Sequence, residues 1–136
     1  MRKTLQLLLA VSLCGCVATA PPPAEPGGSR RVDPMPVSLA LEEIITAGVR
    51  PHLSNPLSAK FGTILAGERT LNGRQEIVAC GYVNDKRSSG AADHNVPFVA
   101  KIYPGTGNSF ELVAIDDGSV GASCRMAGLA MPDSKP

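Results

Sequence analysis

The chain has 136 residues, a formal net charge of +1 and a hydrophobic fraction of 43%, which suits one small domain rather than several. Its 13 basic residues nearly balance its 12 acidic ones, and it has two tyrosines and no tryptophan. A nucleic-acid-binding protein shows a basic footprint and aromatic residues for base stacking. We therefore expect no nucleic acid among its partners.

Residues 1–15 have the order of charge, apolar run and small residues that is typical of an export signal. Arg2 and Lys3 form the basic start, and residues 5–13 form the apolar stretch. A membrane-spanning helix needs about 20 apolar residues, and the prolines at 21–23 end any helix before that length. We predict a signal peptide.

The signal ends in Leu13-Cys14-Gly15-Cys16, which resembles the bacterial lipobox, where a cysteine receives diacylglycerol and the chain is cut just before it. Cys16 fits this pattern because the small Gly15 precedes it, whereas the bulky Leu13 precedes Cys14. An ordinary signal-peptidase site at residues 18–20 competes, but a proline would follow that cut. A second alternative to lipidation is that both cysteines are simply small apolar residues of the signal core. We predict lipidation, including palmitate, at Cys16.

The lipid anchor would hold the protein on a membrane without spanning it, because two or more acyl chains give stable anchoring. Residue 17, which follows the modified cysteine, is valine and not aspartate. In enterobacterial sorting the absence of aspartate at this position implies the outer membrane, and we expect the domain to face the periplasm. Residues 16–36 are rich in proline, glycine, serine and charge and are predicted to be an extended tether. A docking motif for a proline-binding domain is the alternative.

The single predicted domain spans residues 37–131, and a loose tail follows at 132–136. Ser38 is a candidate helix cap, and Pro51 ends the helix. Between them apolar residues recur at a spacing of three and four, which predicts one apolar stripe: Leu41, Ile44, Ile45, Gly48 and Val49. We expect this stripe to pack on a sheet; a partner-binding face is the alternative.

Two hairpins are predicted after the helix. Residues 61–70 and 75–84 are rich in β-branched and small apolar residues and flank Asn72-Gly73, a strong hairpin signal. Alternation along residues 96–103 places Val96, Phe98, Ala100 and Ile102 on one face. A proline- and glycine-rich turn then leads to residues 109–115. The prediction is an α+β fold: a small four-stranded, mainly antiparallel sheet with one N-terminal amphipathic helix packed on a face.

Cys80 and Cys124 are the cysteines left once the signal segment is excluded. An isolated pair in an exported chain predicts a disulfide. The functional alternative makes Cys80 a nucleophile with His52 or His94 as its base, although no helix start lies near Cys80 to lower its pKa.

The sequence gives little support for a metal or cofactor site. Asp93-His94 and Asp116-Asp117 could supply ligands, but their spacing matches neither a zinc site nor a calcium loop. Turn formation explains these residues, because Asp and Asn side chains bond nearby backbone groups. We predict no metal, no cofactor and no catalytic residue.

A long polar loop between the second and third predicted strands is the candidate binding site. It spans residues 84–95, whereas a tight hairpin needs two to five residues. Its cations, hydroxyls, amides and histidine suit a carboxylate, phosphate or sugar, with ordinary solvation of a loop as the alternative. The candidate residues are Asn84, Lys86, Arg87, Ser88, Gly90 and His94.

The stretches NPLSAKF at 55–61 and CGYVN at 80–84, with Lys86, Ser88 and Gly90 following, resemble a family of small, uncharacterised proteobacterial exported proteins and lipoprotein domains. Members have a [DN]-P-x-S-A-x-F turn, a C-G-x-V-N-x-K stretch and a loop with glycine and tyrosine. The resemblance implies a shared fold but no reaction.

The loop departs from the family pattern. Arg87 stands where relatives have asparagine, Ser89 where they have an aromatic residue, Ala91 where they have a second glycine and Ala92 where they have tyrosine. If relatives bind a ligand with this loop, the substitutions imply an altered or lost function here.

Together these features predict an outer-membrane-anchored lipoprotein that acts as a small envelope binding or accessory module. Its partners would be the membrane, through Cys16, and a small anionic ligand or an envelope protein. The first alternative is a docking subunit of an envelope complex such as a secretion or conjugation machine. The second is a hydrolytic or redox enzyme, for which no constellation of acid, base and nucleophile is evident.

Overall fold

The computed structural model describes residues 30–85 and 94–131. These residues form five strands and two helices, with short 3-10 turns at Arg50–His52 and Pro104–Thr106. In chain order the elements are β1 (Asp33–Met35), α1 (Leu39–Val49), β2 (Lys60–Leu71), β3 (Arg74–Asp85), β4 (His94–Tyr103), β5 (Ser109–Ile115) and α2 (Ser119–Ala127).

The strands form one antiparallel sheet in the order β1-β2-β3-β4-β5. The predicted α+β class and antiparallel sheet are therefore confirmed, but the prediction of four strands is wrong. The fifth strand, β1, lies at the edge and precedes α1, so the helix is not the first element. Residues 33–35, which were predicted to belong to the tether, thus pair with β2. An edge position tolerates Pro34, which has no N–H to donate to the sheet.

Helix α1 begins as predicted, because the Ser38 hydroxyl accepts a hydrogen bond from the Leu41 N–H at 3.1 Å. The predicted stripe packs on one face of the sheet, where Leu41, Ile45 and Val49 are buried. Gly48 lies against the ring of Phe110 on β5, and a side chain there would collide with the ring. The helix can approach the sheet this closely because it has a glycine at the contact.

The two predicted hairpins are present. Asn72 and Gly73 join β2 to β3 with φ of 51° and 76°, the left-handed conformations that a two-residue type I′ turn needs. Gly107 and Asn108, with φ of 71° and 59°, bring the chain from β4 into β5. Both turns occur where residues that tolerate positive φ were available.

Helix α2 packs on the opposite face of the sheet from α1. Side chains alternate along β3, so Ile77 and Ala79 join the α1 core while Val78 and Cys80 join the α2 core. Cys80 forms the predicted disulfide with Cys124 of α2, with an S–S distance of 2.09 Å. The domain therefore has three layers, helix, sheet and helix, in place of the predicted single helix on one face.

Neither helix within the described ranges 30–85 and 94–131 has the length and apolar character required to cross a bilayer.

Candidate binding cleft

Helix α2 covers only part of its face of the sheet, and an open cleft of about 320 Å³ lies beside it. We call this the α2 cleft. Its floor and walls are mostly apolar, and three cationic residues line it. The lining residues are Arg30, Arg69, Leu71, Val78, Val99, Lys101, Val113, Ser123, Met126 and Ala127.

Strand register brings the cleft residues together. Arg69 on β2 lies opposite Glu76 on β3, and Val78 lies opposite Lys101 on β4. These side chains share the face that carries Cys80, because the alternation of a strand places every second residue on one side. Charged and apolar residues thus lie side by side on the area that α2 leaves open.

An irregularity in β5 adds an apolar residue to the cleft wall. Ala114 pairs with Val99 and Leu112 pairs with Ala100, which leaves Val113 without a partner in the ladder. Such a bulge redirects a side chain, and Val113 is 43% exposed. Met126 of α2 is 50% exposed, so two large apolar side chains border the opening.

Glu76 organises the cations of the cleft. It is only 5% exposed, and its carboxylate lies 2.6 Å from Nε of Arg69 and 3.6 Å from Nζ of Lys101. Arg69 also donates from Nη1 to the backbone oxygen of Arg30. One buried carboxylate therefore faces two cations, and Arg30 contributes a third positive charge at the edge, where its Nη1 lies 3.7 Å from the sulfur of Met126.

A polar cluster continues the cleft toward the end of the sheet. The Tyr103 hydroxyl donates to Glu111 at 2.8 Å, and the Arg74 guanidinium lies 4.0 Å from the centre of the Tyr103 ring. Burial raises the pKa of Tyr103 above its ordinary value, and the hydrogen bond to Glu111 raises the pKa further. Glu111 lies opposite Lys101 in the strand register, but its carboxylate accepts a hydrogen bond from the Tyr103 hydroxyl.

A second cleft of about 460 Å³ lies at the other side of α2, and its lining includes Tyr82, Pro97, Asp117 and Arg125. Asp117 accepts a hydrogen bond from the Ser119 N–H at 2.8 Å, which is a structural role at the start of α2. Its carboxylate and Arg125 balance in charge, so this cleft does not favour an ionic ligand.

The predicted binding loop falls mostly outside the described residues, as do Lys86, Arg87, Ser88, Gly90 and the lipidation site Cys16. Asn84 and His94 lie at the two ends of that loop. Asn84 donates to Asn95 across the strands at 3.4 Å, and His94 begins β4 opposite Asp85. Asn84 is six residues from Val78 along β3, about 20 Å at ~3.3 Å per residue, so these predicted residues are not part of the α2 cleft.

Asp85 has a role that the sequence analysis missed. It is buried at the end of β3, and its two carboxylate oxygens accept hydrogen bonds from the backbone N–H groups of Ser54 and Asn55 at 2.8 and 3.0 Å. The signal in the sequence was an acidic residue directly after an apolar strand. Asp85 thereby fastens the turn at residues 54–55 to the strand that leads into the polar loop.

A second set of contacts holds the same turn. Arg50 donates to the backbone oxygen of Pro56 at 2.5 Å, and its guanidinium lies 5.2 Å from the centre of the Phe61 ring. Phe61 in turn meets Phe98 edge to face, with 6.1 Å between ring centres. The stretches 55–61 and 80–85 are therefore parts of one packed unit.

The enzymatic and metal alternatives can be compared with the described residues. Cys80 is bonded to Cys124 and is not a free thiolate nucleophile in this structure. Within residues 30–85 and 94–131, no group of three or more His, Cys, Asp or Glu side chains is placed to hold a metal ion.

Comparisons with known proteins give no match to this chain. No protein-family model matches the chain, no curated protein matches it, and no solved structure matches it.

Proposed function

We propose that this protein is an outer-membrane lipoprotein whose domain binds a small anionic ligand in the α2 cleft, and that it acts as an accessory module of the cell envelope. The observation that carries the proposal is the cleft itself, an apolar concavity lined by three cations against one buried carboxylate.

Size and composition favour a ligand site. Small-molecule sites are concave, mostly apolar and about 300–1,000 Å³ in volume, with a few placed polar groups. The α2 cleft, at about 320 Å³, lies at the lower end of that range. A positively charged, partly enclosed surface also attracts anions over a distance. The occupant that fits these properties is small and negatively charged.

Export is supported by the disulfide. Cys80 and Cys124, 44 residues apart, are bonded, and such bonds persist in oxidising compartments such as the periplasm. The Val32 N–H donates to the Ala127 oxygen at 2.9 Å, which ties the start of the described range, at residue 30, to the end of α2. About 15 residues would separate that start from a lipid on Cys16, a reach of about 45 Å at ~3.1 Å per residue when extended.

Metabolic labelling with an alkyne analogue of palmitate tests the anchor. The wild-type chain should be labelled and recovered with outer membranes, and Cys16→Ser should lose both the label and the membrane association. Cys14→Ser is the matched control and should keep both. Label that persists in Cys16→Ser would contradict the anchor.

Native mass spectrometry of protein purified from its own membranes tests binding by the cleft. Ser123 lines the cleft, whereas its neighbour Ala122 is exposed on α2 and lines neither cleft. Wild-type protein and Ala122→Leu should carry a bound small molecule of defined mass, and Ser123→Leu should lose it. An adduct that Ser123→Leu retains, or no adduct in any form, would contradict the proposal.

The docking alternative is favoured by one observation. Val113 and Met126 expose large apolar side chains at the opening of the cleft, and exposed apolar patches often mark protein-binding surfaces. In that case the cleft would bind a protein and not a small molecule. The Ser123→Leu variant should lose this bound protein, and the Ala122→Leu variant should keep it.

A further inference from the structure

We infer that the α2 cleft binds a monocarboxylate with a short apolar chain, with the carboxylate at Lys101 and the chain along Val78, Val99 and Ala127. This inference rests on the proposed function and names the chemical class of the ligand. It follows from three properties of the cleft: a lysine with unused donors, an arginine whose Nε and Nη1 already bond protein acceptors, and an apolar floor.

Lys101 is the cation that is available to a ligand. Its Nζ lies 3.6 Å from the Glu76 carboxylate, beyond the 2.7–3.2 Å of a good N–H···O bond. An ammonium group has three donors, and this side chain is 27% exposed. A carboxylate that enters the cleft can therefore take a hydrogen bond from Lys101 without displacing an existing one.

Arg69 is occupied in a way that disfavours phosphate. Strong recognition of phosphate by arginine uses the planar fork of donors in a bidentate contact. Nε of Arg69 already bonds Glu76 at 2.6 Å, and Nη1 bonds the backbone oxygen of Arg30. With the fork divided between these two acceptors, and with Arg30 at the edge of the cleft beside Met126, Lys101 is the cation next to the apolar floor, since it lies opposite Val78 in the sheet. A single ammonium group at that position suits a singly charged head group.

The floor of the cleft favours a hydrocarbon chain over a sugar. Val78, Val99 and Ala127 are buried members of the α2 core, and Val113 and Met126 extend the apolar surface to the opening. Ser123 is the neutral polar side chain among the mostly apolar lining residues, so several hydroxyls of a sugar on this floor would face hydrocarbon without a hydrogen-bond partner. Burial of a chain removes its methylene groups from water, so even a short chain adds measurable affinity.

Saturation-transfer NMR on the lipidated protein in neutral phosphatidylcholine nanodiscs tests the inference, with the signal from empty nanodiscs subtracted. The probes are octanoate, octanamide with the same chain and no charge, and acetate with the charge and no chain. Octanoate should bind, and octanamide and acetate should each bind at least about tenfold more weakly, which is ~1.4 kcal/mol. Equal binding of octanoate and octanamide, or no binding of octanoate, would overturn the inference.

Three variants assign the contact. Lys101→Met should weaken octanoate about tenfold, ~1.4 kcal/mol, while leaving octanamide unchanged; Lys60→Met, at the exposed start of β2, should change neither. Glu76→Gln should strengthen octanoate, because it removes the carboxylate that competes for Lys101. An unchanged affinity for octanoate in both Lys101→Met and Glu76→Gln would also overturn the inference.

The two proposals fail in distinguishable ways. If the purified protein carries an adduct that Ser123→Leu loses and octanoate does not bind, the ligand class is wrong and the proposed function stands. If there is neither an adduct nor octanoate binding, both proposals fail.

Discussion

Glu76 on β3 lies directly opposite Arg69 on β2, and Nε of Arg69 is 2.6 Å from its carboxylate. This pair is the centre of the charged cluster in the mostly apolar α2 cleft, since Lys101 approaches the same carboxylate from β4. One buried acidic residue therefore positions a cation on each neighbouring strand. The cleft owes its charge pattern to this cross-strand arrangement.

Glu76→Gln should lower the free energy of unfolding by about 1–2 kcal/mol, because it removes the charge that compensates two partly buried cations. Urea denaturation measures the change. Glu68→Gln is the control: Glu68 is exposed and bonds Gln75, so a change below about 0.5 kcal/mol is expected. Equal losses in the two variants would show that Glu76 has no special role.

Asp85→Asn should release the turn at residues 54–55, because an amide offers one acceptor oxygen where the carboxylate has two. Hydrogen exchange measured by NMR should accelerate about tenfold at the amides of Ser54 and Asn55, as expected for the loss of ~1.4 kcal/mol of local stability. Asp117→Asn, which should affect the Ser119 amide instead, is the matched control. Unchanged exchange at both residues in Asp85→Asn would contradict the assignment.

Removal of the Cys80–Cys124 disulfide should destabilise the domain strongly. Closing a loop across a separation of 44 residues corresponds to about 4 kcal/mol in the chain-entropy model. The double variant Cys80→Ala with Cys124→Ala should lose about that amount in urea denaturation, and the wild type measured in reductant should lose a similar amount. A loss below about 1 kcal/mol would mean that α2 packs on the sheet without help from the bond.

Tyr103 should titrate above its ordinary value of 10.0, because burial and then the hydrogen bond to Glu111 favour the neutral phenol. Tyr82→Phe leaves Tyr103 as the remaining tyrosine of the chain, so the ultraviolet absorbance of the ionised phenol reports it directly. Adding Glu111→Gln should lower the pKa toward the ordinary value. A titration at or below that value in Tyr82→Phe would contradict the geometry.

The same shift gives a stability prediction with a definite sign. A group whose pKa is raised by folding stabilises the protein below its unfolded pKa and loses that contribution as pH rises through the folded value. The free energy of unfolding should therefore fall above pH 10.0, and the fall should be smaller in Tyr103→Phe. Equal declines in the two proteins would exclude a contribution from Tyr103.

The elements that were predicted correctly have strong local signals. Ser38 caps α1, and Asn72-Gly73 reverses the chain between β2 and β3, because those residues stabilise these conformations whatever surrounds them. Strand β1 has three residues, one of them a proline, and exists through its pairing with β2. Such a strand carries no repeat for a pattern to detect.

Helix α2 and the cleft depend on tertiary structure. The sequence SVGASCRMA has a glycine and two serines, which are poor helix formers, although Val120, Cys124 and Ala127 recur at helical spacing and form its buried side. The cleft combines residues from the N-terminal segment, four strands and α2, and only the tertiary structure brings them together. The long loop at residues 84–95, by contrast, is recognisable from the sequence because its polar residues follow one another along the chain.

Photo-crosslinking in living cells tests most directly the claim that the α2 cleft is the binding site. A benzophenone amino acid would replace Met126 at the cleft opening or, as the control, Leu39 on α1, which is 86% exposed on the opposite side of the sheet. Illumination should attach a small molecule to the peptide carrying position 126 and nothing to the peptide carrying position 39. No adduct at position 126, or the same adduct at both positions, would contradict it.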